Sequence, residues 1–467
     1  MSKVARSSSL LLFLGLIVVA LAGAPLQARA GHSRSSSRPS GSSPNQSSQS
    51  NRVFDPGVRT GAAGAGGPVA GLTTDELEMF QVGLADFSEE EEVDEGVGPR
   101  FNFVGCAGCH EQPAVGGSSP AVNPLFRVVE DLGFAGNVIP SFLKRNGPVR
   151  EVRFPLAADG SRDGGVHALF VIRGHPDAAG CNIVQEDFEK QVRNANIIFR
   201  IPSPVFGAGL IEAIPDPTIV ANLKANESKA GVLGISGRPN RNGNDGTISR
   251  FGWKAQNQSL RLFSGEAYNV EMGITNELFQ VERDSTAGCS FATAPNDVTP
   301  SVRQISAIEN FANFQRFLAA PRPTPAFSNV SADSVKHGRE VFDAIGCALC
   351  HTPTLRTGDT TVAALSNQRA DLFSDLALHA MGPGLADNIL QGAAAGDEFR
   401  TAPLWGLGQR LFLLHDGRTT DLVEAIRAHQ SKADKKFGSS EANAVIDRFE
   451  KLDPRDAQSL LNFLRSL

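Results

Sequence analysis

The sequence predicts a mainly α-helical fold in two domains, and three observations support this prediction. The motif C-x-x-C-H occurs twice, at residues 106–110 and 347–351, so each half of the chain carries the same short signal. A proline-rich connector at 319–325 separates the halves, because proline cannot continue a helix. Helix-start signals and apolar residues at helical spacing flank the motifs. We therefore expect one domain at residues 53–320 and a second at 326–467.

Local signals place three helices. Thr73 precedes an acidic first turn and an apolar run, which is typical of a capped helix start. Ser331 should cap a helix that runs to Ile345 and straight into the second motif. Residues 453–467 have apolar positions at helical spacing and are expected to pack back as a closing helix.

Two polar segments are expected to lie on the surface. The acidic run at residues 89–92 is typical of a solvated face. The segment 225–250 is rich in Gly, Asn and Ser and is expected to form a long surface loop.

The N-terminus predicts export. Residues 1–30 contain the basic Lys3 and Arg6, an apolar run at 10–24 and a small-x-small cleavage site at 28–30, the features of a signal peptide. An uncleaved membrane anchor is the alternative, but the run is shorter than the ~20 residues of a typical span. No other stretch is apolar enough to cross a bilayer, so we expect a periplasmic protein without stable membrane insertion.

Composition limits the partners. Residues 31–52 are a Ser-rich segment almost without apolar side chains, and they predict a disordered linker. Loss of the signal peptide removes three basic residues and no acid, so the formal charge changes from −6 to −9. A net negative chain is not expected to bind nucleic acid.

The two C-x-x-C-H motifs predict two covalently bound c-type haems. Both cysteines of a motif can form thioethers with one porphyrin, and the adjacent histidine can then ligate the iron. Zinc is the rival cofactor, but each motif offers only three ligands and has no second ligand pair nearby. The predicted haem-binding residues are Cys106, Cys109, His110, Cys347, Cys350 and His351. A helix leading into such a motif is the usual start of a cytochrome c domain, so we expect two cytochrome c-like haem domains with long loop insertions.

Two further cysteines, Cys181 and Cys289, lie outside the motifs. Disulfides persist in exported proteins, so a bridge between them is one interpretation. The other is a pair of buried free thiols.

An internal repeat relates the two halves. Residues 199–209 and 399–408 both contain Phe-Arg, then proline, then Gly-x-Gly. Trp253 precedes a Ser-Leu pair at the same spacing at which His415 precedes an Asp-Leu pair.

The repeat also pairs an acid with a histidine. Each half has a Glu-Ala pair, at 266–267 and at 424–425, and four residues beyond it lie Glu271 and His429. Positions four apart share a helix face, so Glu271 and His429 are expected to face their respective haems. One iron would then be open for chemistry and the other closed by imidazole. The alternative is that Glu271 is a surface residue and His429 is solvent-exposed.

These motifs resemble those of the di-haem cytochrome c peroxidase superfamily. Two C-x-x-C-H motifs are combined with H-D-G-R at 415–418 and E-A-I-x-x-H at 424–429. Five segments are similar to its di-haem oxidoreductase branch, whose members are described as peroxidases or thiol oxidoreductases. These segments are FRIPSPVFGAGLIEAIP, RFGWKAQNQSL, NVEMGITN, DLALHAMGPGLAD and FRTAPLWGLG. The resemblance covers residues 55–467.

The resemblance implies roles for three residues. His429 matches the sixth ligand of the C-terminal haem, Glu271 matches the catalytic acid of an E-M-G stretch, and Trp253 matches the aromatic residue between the haems. The sequence departs from the family next to Trp253, where Lys254-Ala255 replaces Asp-Gly. Met381 remains a rival ligand for the C-terminal haem.

The N-terminal haem departs from the family on its distal side. The position at which relatives carry a histidine that can close this haem is Phe126. The iron is therefore expected to be open, or closed by another residue such as His167 or His175.

The function that follows is peroxide reduction at the N-terminal haem, with electrons relayed through the C-terminal haem. Expected partners are hydrogen peroxide and a small soluble electron-donor protein, either a cytochrome or a copper protein. The family also suggests a calcium ion, whose ligands the sequence does not identify. Two alternatives stay open: an electron-transfer cytochrome without peroxidase activity, and an oxidant of an organic or protein substrate, as in the relative that matures methylamine dehydrogenase.

Overall fold

A computed structural model describes residues 53–301 and 304–467 of the protein, which belong to one compact unit. The predicted signal peptide and the Ser-rich linker lie outside these residues. Of the described residues, 32% are helical and 12% are in strands, so the prediction of a mainly α fold holds only in part. The described helices are α1 (Thr74–Ser88), α2 (Cys106–Cys109), α3 (Arg127–Glu130), α4 (Phe188–Arg193), α5 (Ala208–Glu212), α6 (Asp216–Val232), α7 (Leu260–Met272), α8 (Ala307–Phe317), α9 (Ala332–Ile345), α10 (Leu422–Ala428), α11 (Asn443–Phe449) and α12 (Pro454–Ser466).

The strands are short and form four small antiparallel sheets. They are β1 (Arg100–Phe101), β2 (Glu151–Leu156), β3 (Arg162–His167), β4 (Phe170–Val171), β5 (Ile198–Arg200), β6 (Leu355–Arg356), β7 (Arg369–Ala370), β8 (Leu378–Ala380) and β9 (Glu398–Arg400). The pairs are β1–β4, β6–β7 and β8–β9, and β2 lies between β3 and β5. In register, Glu151 pairs with Arg200 and His379 pairs with Phe399. Most of these strands lie in the loop insertions between helices, where alternating apolar runs were too short to be predicted.

The three predicted helices are confirmed. Helix α1 begins with a capping box, in which the Thr73 hydroxyl accepts from the amide of Glu76 and the Glu76 carboxylate accepts from the amide of Thr73. The Ser331 hydroxyl caps α9, which ends just before the second C-x-x-C-H motif. The closing helix α12 packs against α9 so closely that Gly338 abuts the backbone of Ser459.

The prediction of a surface loop at 225–250 is wrong in two respects. Helix α6 continues to Val232, which the Gly- and Asn-rich composition of the segment concealed. The C-terminal end of the segment is also buried, since Ile248 and Ser249 are 0% and 3% exposed. The Arg250 guanidinium lies against Asp216 at the start of the same helix, which folds the segment back onto the molecule.

A hydrophobic core surrounds each motif, and residues of the two predicted domains also contact each other. The N-terminal core includes Phe101, Leu125 and Phe314, whereas the C-terminal core includes Phe342 and Leu461. A third cluster joins the halves, because it packs residues of α5, α6 and α7 against residues 355–376 and Trp405. The buried Arg465 of α12 also forms a bidentate ion pair with Asp55, at 2.7 and 2.9 Å. The domain boundary at 320–326 stays a prediction.

The disulfide is confirmed: Cys181 and Cys289 are joined and nearly fully buried. The bridge links two loops of the N-terminal half that are 108 residues apart in sequence. None of the described helices is long and apolar enough to cross a membrane.

Candidate haem sites

Each C-x-x-C-H motif forms one wall of a cavity. The N-terminal cavity contains about 1230 Å³ of space not filled by atoms, including the part open to solvent, and the C-terminal cavity contains about 1470 Å³. The N-terminal cavity is lined by Cys106, Cys109, His110, Glu151, Arg153, Trp253, Tyr268 and Glu271, among others. The C-terminal cavity is lined by Trp253, Cys347, Cys350, His351, Met381, Arg400, Arg410, His415 and His429, among others.

The two motif histidines are held in the same way. Nδ1 of His110 lies 3.0 Å from the carbonyl oxygen of Gly117, and Nδ1 of His351 lies 3.0 Å from that of Phe373. A carbonyl can only accept, so Nδ1 carries the proton and Nε2 keeps its lone pair for a metal. Burial lowers the pKa of both imidazoles to about 4, which keeps them neutral at pH 7.

Glu271 also lines the N-terminal cavity, at the end of α7. Its carboxylate accepts a 2.6 Å hydrogen bond from the Asn102 side chain, and its backbone carbonyl accepts from the Asn102 amide. The helix stops at Gly273, whose φ is +78°. A side chain there would also collide with the carbonyl oxygen of Arg100 at 2.6 Å, so only glycine allows the end of α7 to lie against β1. This contact fixes the position of Glu271.

Glu151 is a second acid in this cavity, and no sequence pattern predicted it. Its side chain is hydrogen-bonded to that of Glu271, and Arg153 donates to it at 2.9 Å. Burial, and next the negative charge of Glu151, raise the pKa of Glu271 to about 8. The cations of Arg153 and Arg200 outweigh burial and lower the pKa of Glu151. The pair therefore shares one proton, which resides on Glu271.

The C-terminal cavity has a histidine where the other has an acid. His429 follows α10, and its Nδ1 lies 2.8 Å from the carbonyl oxygen of Ala425. Its Nε2 is therefore left with a lone pair, as in His351, and the two imidazoles are close enough to influence each other's charge. Met381 lines the same cavity, so the structure leaves the rival ligand in reach.

Another histidine that lines the C-terminal cavity, His379, has a different environment. It is 4% exposed and lies between two carboxylates, with Nε2 3.0 Å from Asp375 and Nδ1 2.9 Å from Glu441. Its pKa is raised well above the usual value because Cys350 and Asp375 outweigh its burial. An imidazolium has no lone pair to offer a metal.

Two arginines give the C-terminal cavity a positive edge. Arg400 and Arg410 have no described carboxylate within ion-pair distance, and burial lowers the pKa of each to about 10. Arg400 donates to the carbonyl oxygen of Gly252 at 3.0 Å. Buried guanidinium groups are normally paired, so this edge suits a ligand that carries carboxylates.

Trp253 lines both cavities. Its Nε1 donates to the carbonyl oxygen of Ile201 at 2.9 Å, and the Ile201 amide donates to the carbonyl oxygen of His415 at 2.8 Å. The Trp253 and His415 rings are 6.3 Å apart, and His415 stacks on Phe399 at 4.2 Å. The residues at repeat-related positions 253 and 415 thus meet between the cavities.

The departure from the family next to Trp253 has a structural explanation. Lys254 is 0% exposed, and its ammonium contacts Asp387 at 3.0 Å and the carbonyl oxygens of Ala395 and Glu398 at 2.8 Å. It also lies 4.2 Å from the centre of the Phe399 ring. The lysine therefore ties Trp253 to the C-terminal half through a buried ion pair.

The repeat is also visible in local structure. Strands β5 and β9 both end at the arginine of Phe-Arg, and a glycine with positive φ follows each, Gly207 at +65° and Gly406 at +76°. Glu271 follows the Ser259 cap of α7 by twelve residues, and His429 follows the Asp421 cap of α10 by eight. The difference of four residues is about one helical turn, so both side chains leave their helices in the same direction.

Three residues considered for the N-terminal iron do not line its cavity. Phe126 packs under the Arg145 guanidinium, His167 stacks on Phe154 at 3.7 Å, and His175 stacks on Phe134. His110 is the one histidine among the residues that line this cavity. Across residues 53–301 and 304–467, no three or more His, Cys, Asp or Glu side chains form a metal-binding group, so the expected calcium gains no support.

The chain belongs to a family of di-haem oxidoreductases. Residues 168–467 match the family described as "Di-haem oxidoreductase, putative peroxidase", which is more than half of the sequence. The comparison with curated proteins found no match.

Two solved structures show weaker similarity. One is a MauG-like protein associated with microbial copper homeostasis, at 17% identity and a TM-score of 0.30, covering 48% of this chain and 73% of that one. The other is the hydrazine synthase of Kuenenia stuttgartiensis, at 18% identity and a TM-score of 0.24. That match covers 44% of this chain and 60% of the hydrazine synthase chain.

Both cavities fit the haem that the family implies. Each has a neutral histidine with a free Nε2 and two cysteines among its lining residues, which is the donor set of a covalently bound haem. The unpaired arginines of the C-terminal cavity match the carboxylates that a haem carries.

Proposed function

We propose that this protein is an exported di-haem c-type oxidoreductase that reduces hydrogen peroxide at the site of His110. Electrons would reach that site from the site of His351. The observation that carries the proposal is the difference between the two cavities. Glu271 faces the N-terminal cavity, whereas His429 faces the C-terminal one. A carboxylate leaves an iron open to a small substrate, while a second imidazole closes it.

The four motif cysteines would bind the two haems covalently, and the two motif histidines would ligate them. Haem supplies the one-electron redox chemistry that no side chain of this protein provides. The protein contributes the neutral state and fixed direction of each histidine, which the Nδ1 hydrogen bonds maintain. In the C-terminal cavity, His429 would be the second histidine that holds the haem, together with His351.

Glu271 carries the acid–base step. It would take the proton from the nearer oxygen of peroxide and give it to the farther oxygen, so that the O–O bond breaks and the farther oxygen leaves as water. The nearer oxygen would become a second water with two further protons and two electrons supplied through the haems. A pKa near the working pH suits a group that must both accept and donate, and burial beside Glu151 raises the pKa of Glu271 in that direction. Asn102 fixes the carboxylate through a 2.6 Å hydrogen bond.

Trp253 is the proposed electron path because it borders both cavities and is anchored through Ile201. The electrons would come from a small soluble cytochrome or copper protein in the periplasm. Such a donor is expected to dock near the C-terminal site, which has no open position for substrate.

Glu271→Gln is the experiment that tests this function. Glutamine keeps the shape of the side chain but cannot move a proton, so turnover of peroxide with a reduced small cytochrome should fall by about 10²- to 10⁴-fold. Glu266→Gln is the matched control, since Glu266 lines the same cavity from the same helix but contacts Asn257 instead. Equal turnover in Glu271→Gln and the wild type would refute the role of Glu271.

A further inference from the structure

Tyr268 is the only tyrosine in a chain with 29 phenylalanines. It lies on α7, one turn before Glu271, and lines the N-terminal cavity. The residue is 4% exposed, and its ring contacts Phe311 edge-on at 5.0 Å. Phenylalanine would fill this space equally well, so the distinguishing feature of Tyr268 is its hydroxyl group.

The Tyr268 hydroxyl donates a 2.7 Å hydrogen bond to the carboxylate of Glu91. Glu91 belongs to the acidic run 89–92, for which the sequence predicted a solvated face; the other three acids are exposed, but Glu91 is partly buried. The Glu91 amide donates to the carbonyl oxygen of Val104 at 2.8 Å. This bond fixes the backbone of Glu91 against Val104, which lies two residues before Cys106. The phenol proton therefore points at a fixed carboxylate beside the haem motif.

The surroundings of this pair make the Glu91 carboxylate a stronger base than an ordinary glutamate. Burial raises the pKa of Glu91 to about 7 against its hydrogen bond from Tyr268, and the negative charges of Glu89, Glu95 and Asp297 raise it further. The same burial and the charge of Glu91 raise the pKa of Tyr268 well above its usual value. Loss of the phenol proton alone is therefore unfavourable, but Glu91 can accept that proton when an electron leaves the ring.

We propose that Tyr268 and Glu91 form a separate redox site, in which Tyr268 loses one electron while its phenol proton moves to Glu91. The products are a neutral tyrosyl radical and a protonated Glu91. The oxidant is hydrogen peroxide acting at the cavity of His110, so the inference rests on the proposed function. Reduction of peroxide to water takes two electrons, of which Tyr268 would supply one and the haem at that cavity the other. One electron from the donor protein, with return of the proton from Glu91, restores the starting state. The pair would hold an oxidising equivalent whenever peroxide arrives before the donor.

The first test adds peroxide to the haem-loaded protein without a donor and freezes it for electron paramagnetic resonance. A tyrosyl radical is expected, and ring-deuterated tyrosine should narrow its signal, which identifies Tyr268 because no other tyrosine exists. Tyr268→Phe should abolish the signal. Consumption of peroxide without this radical, or a radical that persists in Tyr268→Phe, would overturn the inference while leaving the proposed function intact.

The second test uses a light-generated one-electron oxidant in solution, so that it does not depend on peroxide. Glu91→Gln keeps a hydrogen-bond acceptor but removes the base, so Tyr268 radical formation should slow by roughly 100-fold, the lower end of what a positioned base contributes. Glu90→Gln is the matched control, because Glu90 pairs with Arg127 and should leave the rate unchanged. Equal rates in Glu91→Gln and the wild type would overturn the inference. If peroxide is not consumed, the proposed function fails, and this second test alone decides the role of the pair.

Discussion

The two cavities are built from corresponding elements but differ in one residue that lines them, Glu271 in the first and His429 in the second. Each has a C-x-x-C-H wall and a histidine whose Nδ1 donates to a backbone carbonyl. Each cavity is also lined by a residue at the end of a helix that begins at a side-chain cap, Glu271 of α7 in one case and His429 after α10 in the other. Because α7 is longer by about one turn before that position, the direction of the side chain is kept while its chemistry differs. One duplicated scaffold can thus provide an open site and a closed site.

The neighbourhoods differ as well as the facing residues. Glu271 and Glu151 share a proton in the N-terminal cavity, and Tyr268, which also lines it, donates a hydrogen bond to Glu91. The C-terminal cavity has two buried arginines without an ion-pair partner and a histidine held between two carboxylates. A hydrogen-bonded pair of acids thus distinguishes the first cavity, and a free imidazole, His429, the second.

The largest expected effect is on the closed site. His429→Ala should remove the sixth ligand of the C-terminal haem and convert its ferric iron completely from low spin to high spin, which makes the two sites alike. Met381→Leu is the matched control for the rival ligand and should leave the low-spin signal unchanged. Absorption and electron paramagnetic resonance spectra measure both. Conversion by Met381→Leu instead of His429→Ala would assign the ligand to Met381.

The next largest effect concerns stability of the N-terminal half. The disulfide closes a loop of 108 residues, and replacing both Cys181 and Cys289 by serine should lower the free energy of unfolding by about 2–5 kcal/mol. Thermal unfolding of wild type and variant measures this. The spectrum of the N-terminal haem should change at a lower temperature than that of the C-terminal haem, because only the N-terminal half loses a cross-link. Simultaneous loss of both spectra would show that the halves unfold as one unit.

A smaller effect is expected at the boundary between the cavities. Trp253→Phe should slow electron transfer between the sites and lower peroxide turnover about tenfold, equivalent to ~1.4 kcal/mol in the activation free energy. Trp405→Phe is the control, since Trp405 is the other tryptophan and lines neither motif cavity. Rapid-mixing measurements of the C-terminal haem report the transfer directly. An unchanged rate in Trp253→Phe would exclude this path.

The smallest effect is a shift in pH dependence. Only the carboxylate form of Glu271 can accept the proton of peroxide, so turnover should rise with pH through its raised pKa of about 8. Glu151→Gln removes a negative neighbour and should move this rising limb to lower pH by about one unit or less. The profile of kcat/KM against pH measures the shift, and Glu266→Gln should show none. A shift to higher pH would contradict the proton-sharing pair.

The same raised pKa predicts how stability depends on pH. Glu271 keeps its proton up to about pH 8 in the folded protein, but ionises near its ordinary value of 4.5 when unfolded. The stabilisation is therefore fully present below pH 4.5 and is lost as pH rises through about 8. In Glu271→Gln, this contribution to the pH dependence of the free energy of unfolding should be absent.

The sequence predicted those parts of the site that depend on local spacing. The motif residues, the α7 and α10 positions and the capped helices follow from short-range patterns, and the repeat related Glu271 to His429. Glu151 could not be predicted, because it reaches Glu271 by the pairing of β2 with a strand 47 residues further on, Ile198–Arg200. The burial of Glu91 likewise depends on contact with Tyr268, which is 177 residues away in sequence. Long-range packing decides which charged residues leave the surface.

The measurement that tests the difference between the cavities most directly is an electron paramagnetic resonance spectrum of the ferric protein, before and after adding cyanide. We expect one low-spin bis-histidine haem that cyanide does not change. We also expect one haem whose spectrum cyanide does change, because Glu271 leaves the iron beside His110 open. Two low-spin haems, both unaffected by cyanide, would rule out an open N-terminal site and favour a cytochrome that only transfers electrons.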